Sequence, residues 1–191
     1  MKKLLSFLLV SVLMATVCAV NLSASNGASV KEKTAIVYFS KTGNTKQACE
    51  TLAKAIPSDL FELKVAQKPA AKGELPVIEP ARIDLKSYSS VIVASPVWAA
   101  NLVPAVRAFL KNNPLGGKNV FMLTTTNAAM PEQFQKKHKK LVLDAGGTVA
   151  GYYQVVMMDK KDGEPVPRLQ SDIQKDMTAI ATAIMKNLSQ Q

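Results

Sequence analysis

A chain of 191 residues, 48% hydrophobic and 20% charged, has the apolar material for one packed domain, which excludes wholesale disorder. Its 24 basic and 14 acidic residues give a net charge of +10, which favours anionic partners. In chain order, Lys2 and Lys3 come first, then the apolar run LLSFLLVSVLMATVCAV, then the small-residue stretch NLSASNGAS. That is the order of a secretory signal. Val17 and Ala19 suit a cut after Ala19, and Ser23 and Ser25 suit a cut after Ser25. The alternative is an uncleaved membrane anchor, for which the run is slightly short against the roughly 20 residues of a span. Val17 is too large to precede a lipoprotein cysteine at Cys18, and no Arg-Arg pair marks the twin-arginine route. Residues 1–25 are thus expected to be an export signal, 26–33 a short linker and 34–191 the folded domain. Cleavage would leave 22 basic and 14 acidic residues, a balance of +8, and one cysteine, Cys49. That excludes a disulfide within the mature chain, and no CxxC redox pair exists. Export argues against nucleic acid as the anionic partner.

The domain opens on TAIVYF (34–39), a short apolar run that predicts a buried strand. Residues 44–56 have helical spacing, with Ala48, Leu52, Ala55 and Ile56 on one face. DLFELKVA alternates and predicts a second strand, with Phe61, Leu63 and Val65 on one side. Residues 67–83 hold three prolines and a glycine and predict a long surface loop. SVIVAS (90–95) predicts a third strand, and 102–113 a helix with Pro104 near its start, where proline is tolerated. NVFMLTT (119–125) predicts the fourth strand, 131–145 a helix ended by Gly146 and Gly147, and 148–158 the fifth strand. KDGEPVPR predicts a loop. Residues 169–188 predict a last helix with Ile173, Met177, Ile180, Ile184 and Leu188 inward. Near-continuously apolar strands alternating with helices imply an α/β domain: a parallel sheet covered on both faces. Ligands of such sheets bind at the carboxyl ends of the strands.

Three loops at that edge are informative. FSKTGNTKQA sets Ser40, Thr42, Asn44 and Thr45 around the single Gly43, with Lys41 among them. The pattern is neither a Walker loop nor GxGxxG. It sits at a helix N-terminus, where free N–H groups and the dipole favour an anion. Capping is the competing explanation, but four such residues within six exceed what a cap needs. SPVWAANLVP (95–104) carries the only tryptophan, Trp98, either stacked on a flat ligand or buried against the next helix. TTTNAAMP adds Thr124, Thr125, Thr126 and Asn127, with helix capping the better reading of Asn127 alone. His138, the only histidine, lies in KKHKK and is expected to be a solvated surface residue, and the lysines of 136–140 a solvated face or a dock for an acidic partner. No cluster has metal-ligand spacing, and no Ser-His-Asp set is suggested.

IVYFSKTGNTKQACETLA resembles the FMN phosphate-binding segment of the flavodoxin family, a strand followed by S/T-x-T-G-N-T and a helix; residues 40 and 42–45 match it position by position. SYSSVIVASPVWAANLVPAVRAFL resembles that family's second flavin loop, GGKNVFMLTTTN its third, and LDAGGTVAGYY the entry to its fifth strand. The resemblance covers roughly 34–188 and implies a flavodoxin-like doubly wound sheet of five parallel strands, order 2-1-3-4-5, with FMN as cofactor. It implies that Ser40, Thr42, Asn44 and Thr45 hold the phosphate, with Lys41 and Gly43 in the same turn. It places Trp98 over the isoalloxazine ring, lined by Ser95, Pro96, Val97, Ala99, Ala100, Asn101 and residues Thr124, Thr125, Thr126 and Asn127. The sequence departs from the family in having Ala99 and Ala100 where a glycine is usual, no glycine in the third loop, and Cys49 for a common alanine. The implied activity is exported electron transfer to a redox partner protein, acidic by charge. The alternatives are an FMN-dependent NAD(P)H:quinone-type reductase, or a cofactor-free module that binds an acidic partner.

Overall fold

Strand periodicity decides the centre of the molecule. The computed structural model describes residues 33–190; the expected export signal and almost all of the expected linker lie outside them. The elements are β1 (Thr34–Tyr38), α1 (Asn44–Ala55), β2 (Ser58–Glu62), β3 (Lys64–Gln67), β4 (Val77–Glu79), β5 (Ser90–Trp98), β6 (Asn101–Leu102), α2 (Pro104–Asn112), β7 (Asn119–Thr126), α3 (Glu132–Asp144), β8 (Thr148–Val156), β9 (Met158–Lys161), β10 (Glu164–Pro167) and α4 (Gln170–Leu188). The main sheet runs β2-β1-β5-β7-β8, every neighbour parallel, with β6 added antiparallel to β5. Counted along the parallel strands this is the expected 2-1-3-4-5.

Alternate residues of each central strand enter opposite layers. Val37, Val93 and Met122 lie side by side and face α2 and α3; Ile36, Ile92 and Phe121 form the adjacent row and face α1 and α4. All six are essentially buried. Each such side chain contributes about 1.5–3 kcal/mol from removal of apolar surface from water. The last helix presents the expected stripe: Ile173, Met177, Ile180 and Ile184 are buried, and Leu188 packs beside them. Cys49 is fully buried under α1, and burial pushes its thiol pKa up. At the end of α3, Gly147 is required by space: a Cβ there would stand 2.8 Å from Leu115 Cδ1.

Three expectations need correction. The expected second strand is two strands. Its first half pairs with β1 up to Glu62; the Leu63 N–H then donates to the Tyr38 carbonyl (2.7 Å) while Leu63 turns inward. Beyond it β3 leaves the sheet and pairs with β4, so the expected long loop contains a strand, and Val65 is exposed while Leu63, expected on the same side, is buried. KDGEPVPR is not a loop but half of the β9–β10 ribbon, turning at Asp162 and Gly163. Arg168 ties that ribbon down by donating to the Val156 carbonyl (2.9 Å) and to Asp176 (2.7 Å). Among the described residues no helix is long and apolar enough to cross a membrane.

Candidate functional site

The loop after β1 leads directly into α1. Gly43 sits at φ +93, a left-handed backbone that glycine adopts without strain. No side chain caps α1, and the Gln47 N–H is the donor to Gly43. The N–H groups ahead of Gln47 therefore have no partner within the helix. Capping does not account for the hydroxyls of this loop. They are used in three other ways. Thr42 and Asn44 line a cleft at the carboxyl edge. Thr45 is buried, and its Oγ1 lies 2.7 Å from Thr125 Oγ1, which joins the first loop to the third across 80 residues. Ser40 Oγ is buried and has no hydrogen-bond partner. An unpaired buried hydroxyl costs about 1–3 kcal/mol, so its presence here fits an acceptor supplied from outside the chain.

The second loop is a hairpin. β5 continues past the expected end at Ser95 and folds back as β6, pairing Val97 with Leu102 and Trp98 with Asn101. The two turn residues, Ala99 (φ 46) and Ala100 (φ 60), are both left-handed, the I′ arrangement for which Asn-Gly is preferred. Alanine in that region is strained by about 1–2 kcal/mol per residue. The exposed Asn101 Nδ2 donates to the Ala99 carbonyl at 2.7 Å. Ser95 does not line the cleft; its hydroxyl bonds the Pro96 carbonyl and accepts from the Val103 N–H. Trp98 is 44% exposed, edge-on to Phe39 at 6.1 Å, with Lys41 Nζ 5.4 Å from its ring centre. It is not buried against α2.

His138 corrects the sequence reading most sharply. It is 1% exposed, not solvated. Its Nε2 is 3.1 Å from the Ala100 carbonyl and its Nδ1 is 2.8 Å from the Tyr152 hydroxyl. A carbonyl only accepts, so Nε2 carries the proton and Nδ1 of the neutral ring accepts from Tyr152. Burial pushes the His138 pKa down; the bond to Ala100 opposes that.

The third loop is tightly internal. Thr124 donates to the Tyr153 carbonyl, Thr126 to the Ala128 carbonyl, and Thr125 meets Thr45. Asn127 is exposed in the cleft and does not cap α3, whose N-cap is Pro131 without any side-chain bond. The chain beyond it is fixed at Met130: its N–H donates to Gln154 Oε1 (2.6 Å), and Gln135 donates to its carbonyl (2.8 Å).

Together the loops enclose a cleft of about 450 Å³, within the range of small-molecule sites. Of the residues singled out in the sequence, Lys41, Thr42, Asn44, Thr45, Pro96, Val97, Trp98, Ala100, Thr125, Thr126 and Asn127 line it. Ser40, Gly43, Ser95, Ala99, Asn101 and Thr124 are not among the lining residues. Ala128, Met130 and Met157 also line it and were missed. Met157 is the penultimate residue of the expected fifth strand, so extending the carboxyl-edge rule to that strand would have found it. Lys41 is the one charged residue among those lining the cleft, which suits an anion. A larger cavity, about 1040 Å³, lies elsewhere, between the β3–β4 arm and the later turns of α2 and α3. It lacks a helix N-terminus and receives none of the three loops.

The flavodoxin domain family matches residues 35–157. No curated protein matches. Among solved structures, a Lactobacillus acidophilus NCFM flavoprotein crystallised in complex with FMN is 22% identical, covering 64% of this chain and 93% of its own, with a TM-score of 0.57. A Streptococcus pneumonia TIGR4 flavodoxin is 16% identical over 81% of this chain and 98% of its own (TM-score 0.53), and oxidised flavodoxin 2 of Bacillus cereus is likewise 16% identical over 81% and 98% (TM-score 0.52). At these identities the structures speak for the fold. The family match runs from β1 through β8 and crosses every loop of the cleft, and this chain is a member of the flavodoxin domain family.

Proposed function

We propose that this chain is an exported, FMN-binding electron carrier. One observation carries the reading: an uncapped helix N-terminus and a half-exposed tryptophan meet at one cleft without an acidic residue, and the orphaned Ser40 hydroxyl precedes the cleft-lining Lys41 in the same turn. In this reading Ser40, Thr42, Asn44 and the first N–H groups of α1 hold the phosphate. Thr45 acts differently from the others, locking the phosphate loop to Thr125. Trp98 covers the ring system, and Pro96, Val97 and Ala100 supply the apolar wall. When bound, the flavin supplies the electron uptake and release; the chain supplies binding, orientation and exclusion of water. The FMN complex of the Lactobacillus protein supports the cofactor.

Titration of the purified protein with FMN tests the reading. Trp98 emission should be quenched at one equivalent while the flavin absorbance band shifts. A chain that leaves both signals unchanged is not an FMN protein. Steady NADH oxidation with a quinone would instead favour a reductase. Export is supported by the basic, apolar and small-residue order of residues 1–25. Protein recovered from the exported fraction should begin after Ala19 or Ser25; a chain confined to the cytoplasm with Met1 intact argues against it. The partner in this reading is an acidic redox protein, supported by the basic net charge; Lys136 and Lys140 on α3 are exposed but pair with Glu132 and Asp144 of the same helix.

A further inference from the structure

We infer that His138 is a positioning residue of the FMN cleft: its bond to the Ala100 carbonyl holds the turn at Ala99 and Ala100, and with it Trp98, in the shape that receives the flavin. The inference rests on the FMN reading above. Its starting point is an unmet local requirement. A two-residue hairpin turn with both φ values positive is normally made by Asn-Gly, and here two alanines make it. Such strained backbone persists only where the surroundings over-determine it. Three things hold this turn: the short β5–β6 ladder, the Asn101 amide, and His138. The ladder is two residue pairs long. Asn101 is exposed, so water competes for its bond. The His138 bond alone is made by a side chain shielded from water, 1% exposed.

The imidazole is itself held. Tyr152, from β8 in the main sheet, donates to Nδ1, and its ring lies roughly parallel to the imidazole, 25° apart in plane at 6.0 Å. That second bond sets the tautomer that places a proton on Nε2. The result is a rigid line from the sheet, through α3, to the turn beside Trp98. A buried aromatic filler such as Phe would pack the same space but make neither the bond to the Ala100 carbonyl nor the one to the Tyr152 hydroxyl.

Two substitutions separate positioning from packing. In His138→Gln the side-chain amide reaches as far as Nε2 and can donate to Ala100. In His138→Asn it reaches only as far as Nδ1 and the Tyr152 end. FMN affinity should stay within about twofold of the parent in H138Q and fall about tenfold in H138N, which corresponds to about 1.4 kcal/mol. In FMN-free protein, Trp98 emission should become more accessible to acrylamide in H138N and stay unchanged in H138Q. Adding A99N/A100G, which gives the turn its preferred residues, should restore affinity to H138N. Equal losses in H138N and H138Q, or no recovery with A99N/A100G, overturn the inference. If the parent protein binds no FMN, the cofactor reading fails by itself. The acrylamide experiment still decides the role of His138: unchanged accessibility in H138N refutes it, and increased accessibility supports it.

Discussion

The turn after β1 and the turn after β5 both place left-handed backbone beside the same cleft, and they do so by opposite means. The first uses a residue without a side chain: Gly43 at φ +93, with open space around it. The second uses Ala99 and Ala100 and depends on a histidine 38 residues further along the chain. One turn is stabilised by its own composition, the other by its tertiary surroundings. Changes to the first should therefore act locally, and changes to the second should propagate from α3 and β8.

The comparison breaks most strongly at His138. His138→Leu removes the bonds to the half-buried Ala100 carbonyl and Tyr152 hydroxyl, so stability should fall by about 2–3 kcal/mol in urea unfolding. A loss under 1 kcal/mol would mean that the second turn supports itself as the first does. Acid gives a graded form of the same break. Burial holds the folded His138 pKa below its ordinary 6.5, so on acidification the unfolded chain takes up this proton first. The contribution is fully present above about pH 6.5 and is lost as pH falls through that value towards the lowered folded one. The groups facing the ring are Tyr152 from β8 and the Ala100 carbonyl, with Lys139 of α3 over the Tyr152 ring. The difference in stability between the parent and H138Q, followed from pH 8 down to pH 5, should show this loss in the parent alone.

Smaller substitutions sharpen the contrast by their sign. Gly43→Ala adds a Cβ to a left-handed residue and should destabilise by about 1–2 kcal/mol, with a matching loss of FMN affinity. Ala100→Gly removes one from a left-handed residue. Relief of strain exceeds the added unfolded-state entropy only slightly, so a gain of about 0.5 kcal/mol is expected. Thermal unfolding of the two variants side by side checks both signs.

The same division explains what could be read from the sequence. The sheet order and the first loop depend on local patterns: apolar runs, helical spacing, and a polar turn around one glycine. The split between β2 and β3 does not, because it is decided by Leu63 bonding to Tyr38 and by the arm packing over α2. The β9–β10 ribbon carried a hairpin signal, Asp162-Gly163, but Pro165 and Pro167 read as loop residues and obscured it. His138 was misread from its neighbours. Lys136, Lys137 and Lys140 around it are exposed, yet Phe134, Leu141 and Val142 lie four before, three after and four after it. That spacing puts His138 on the inward face.

Cys49 gives the first helix an internal clock. It is 0% exposed, its thiol is held in the unreactive protonated form, and it is the one cysteine of the chain after either expected cut. A thiol-labelling reagent can therefore reach it only when α1 lifts from the sheet. The labelling rate counts those openings directly, and any ligand gripped by the turn at the start of α1 should slow the count in proportion to its occupancy.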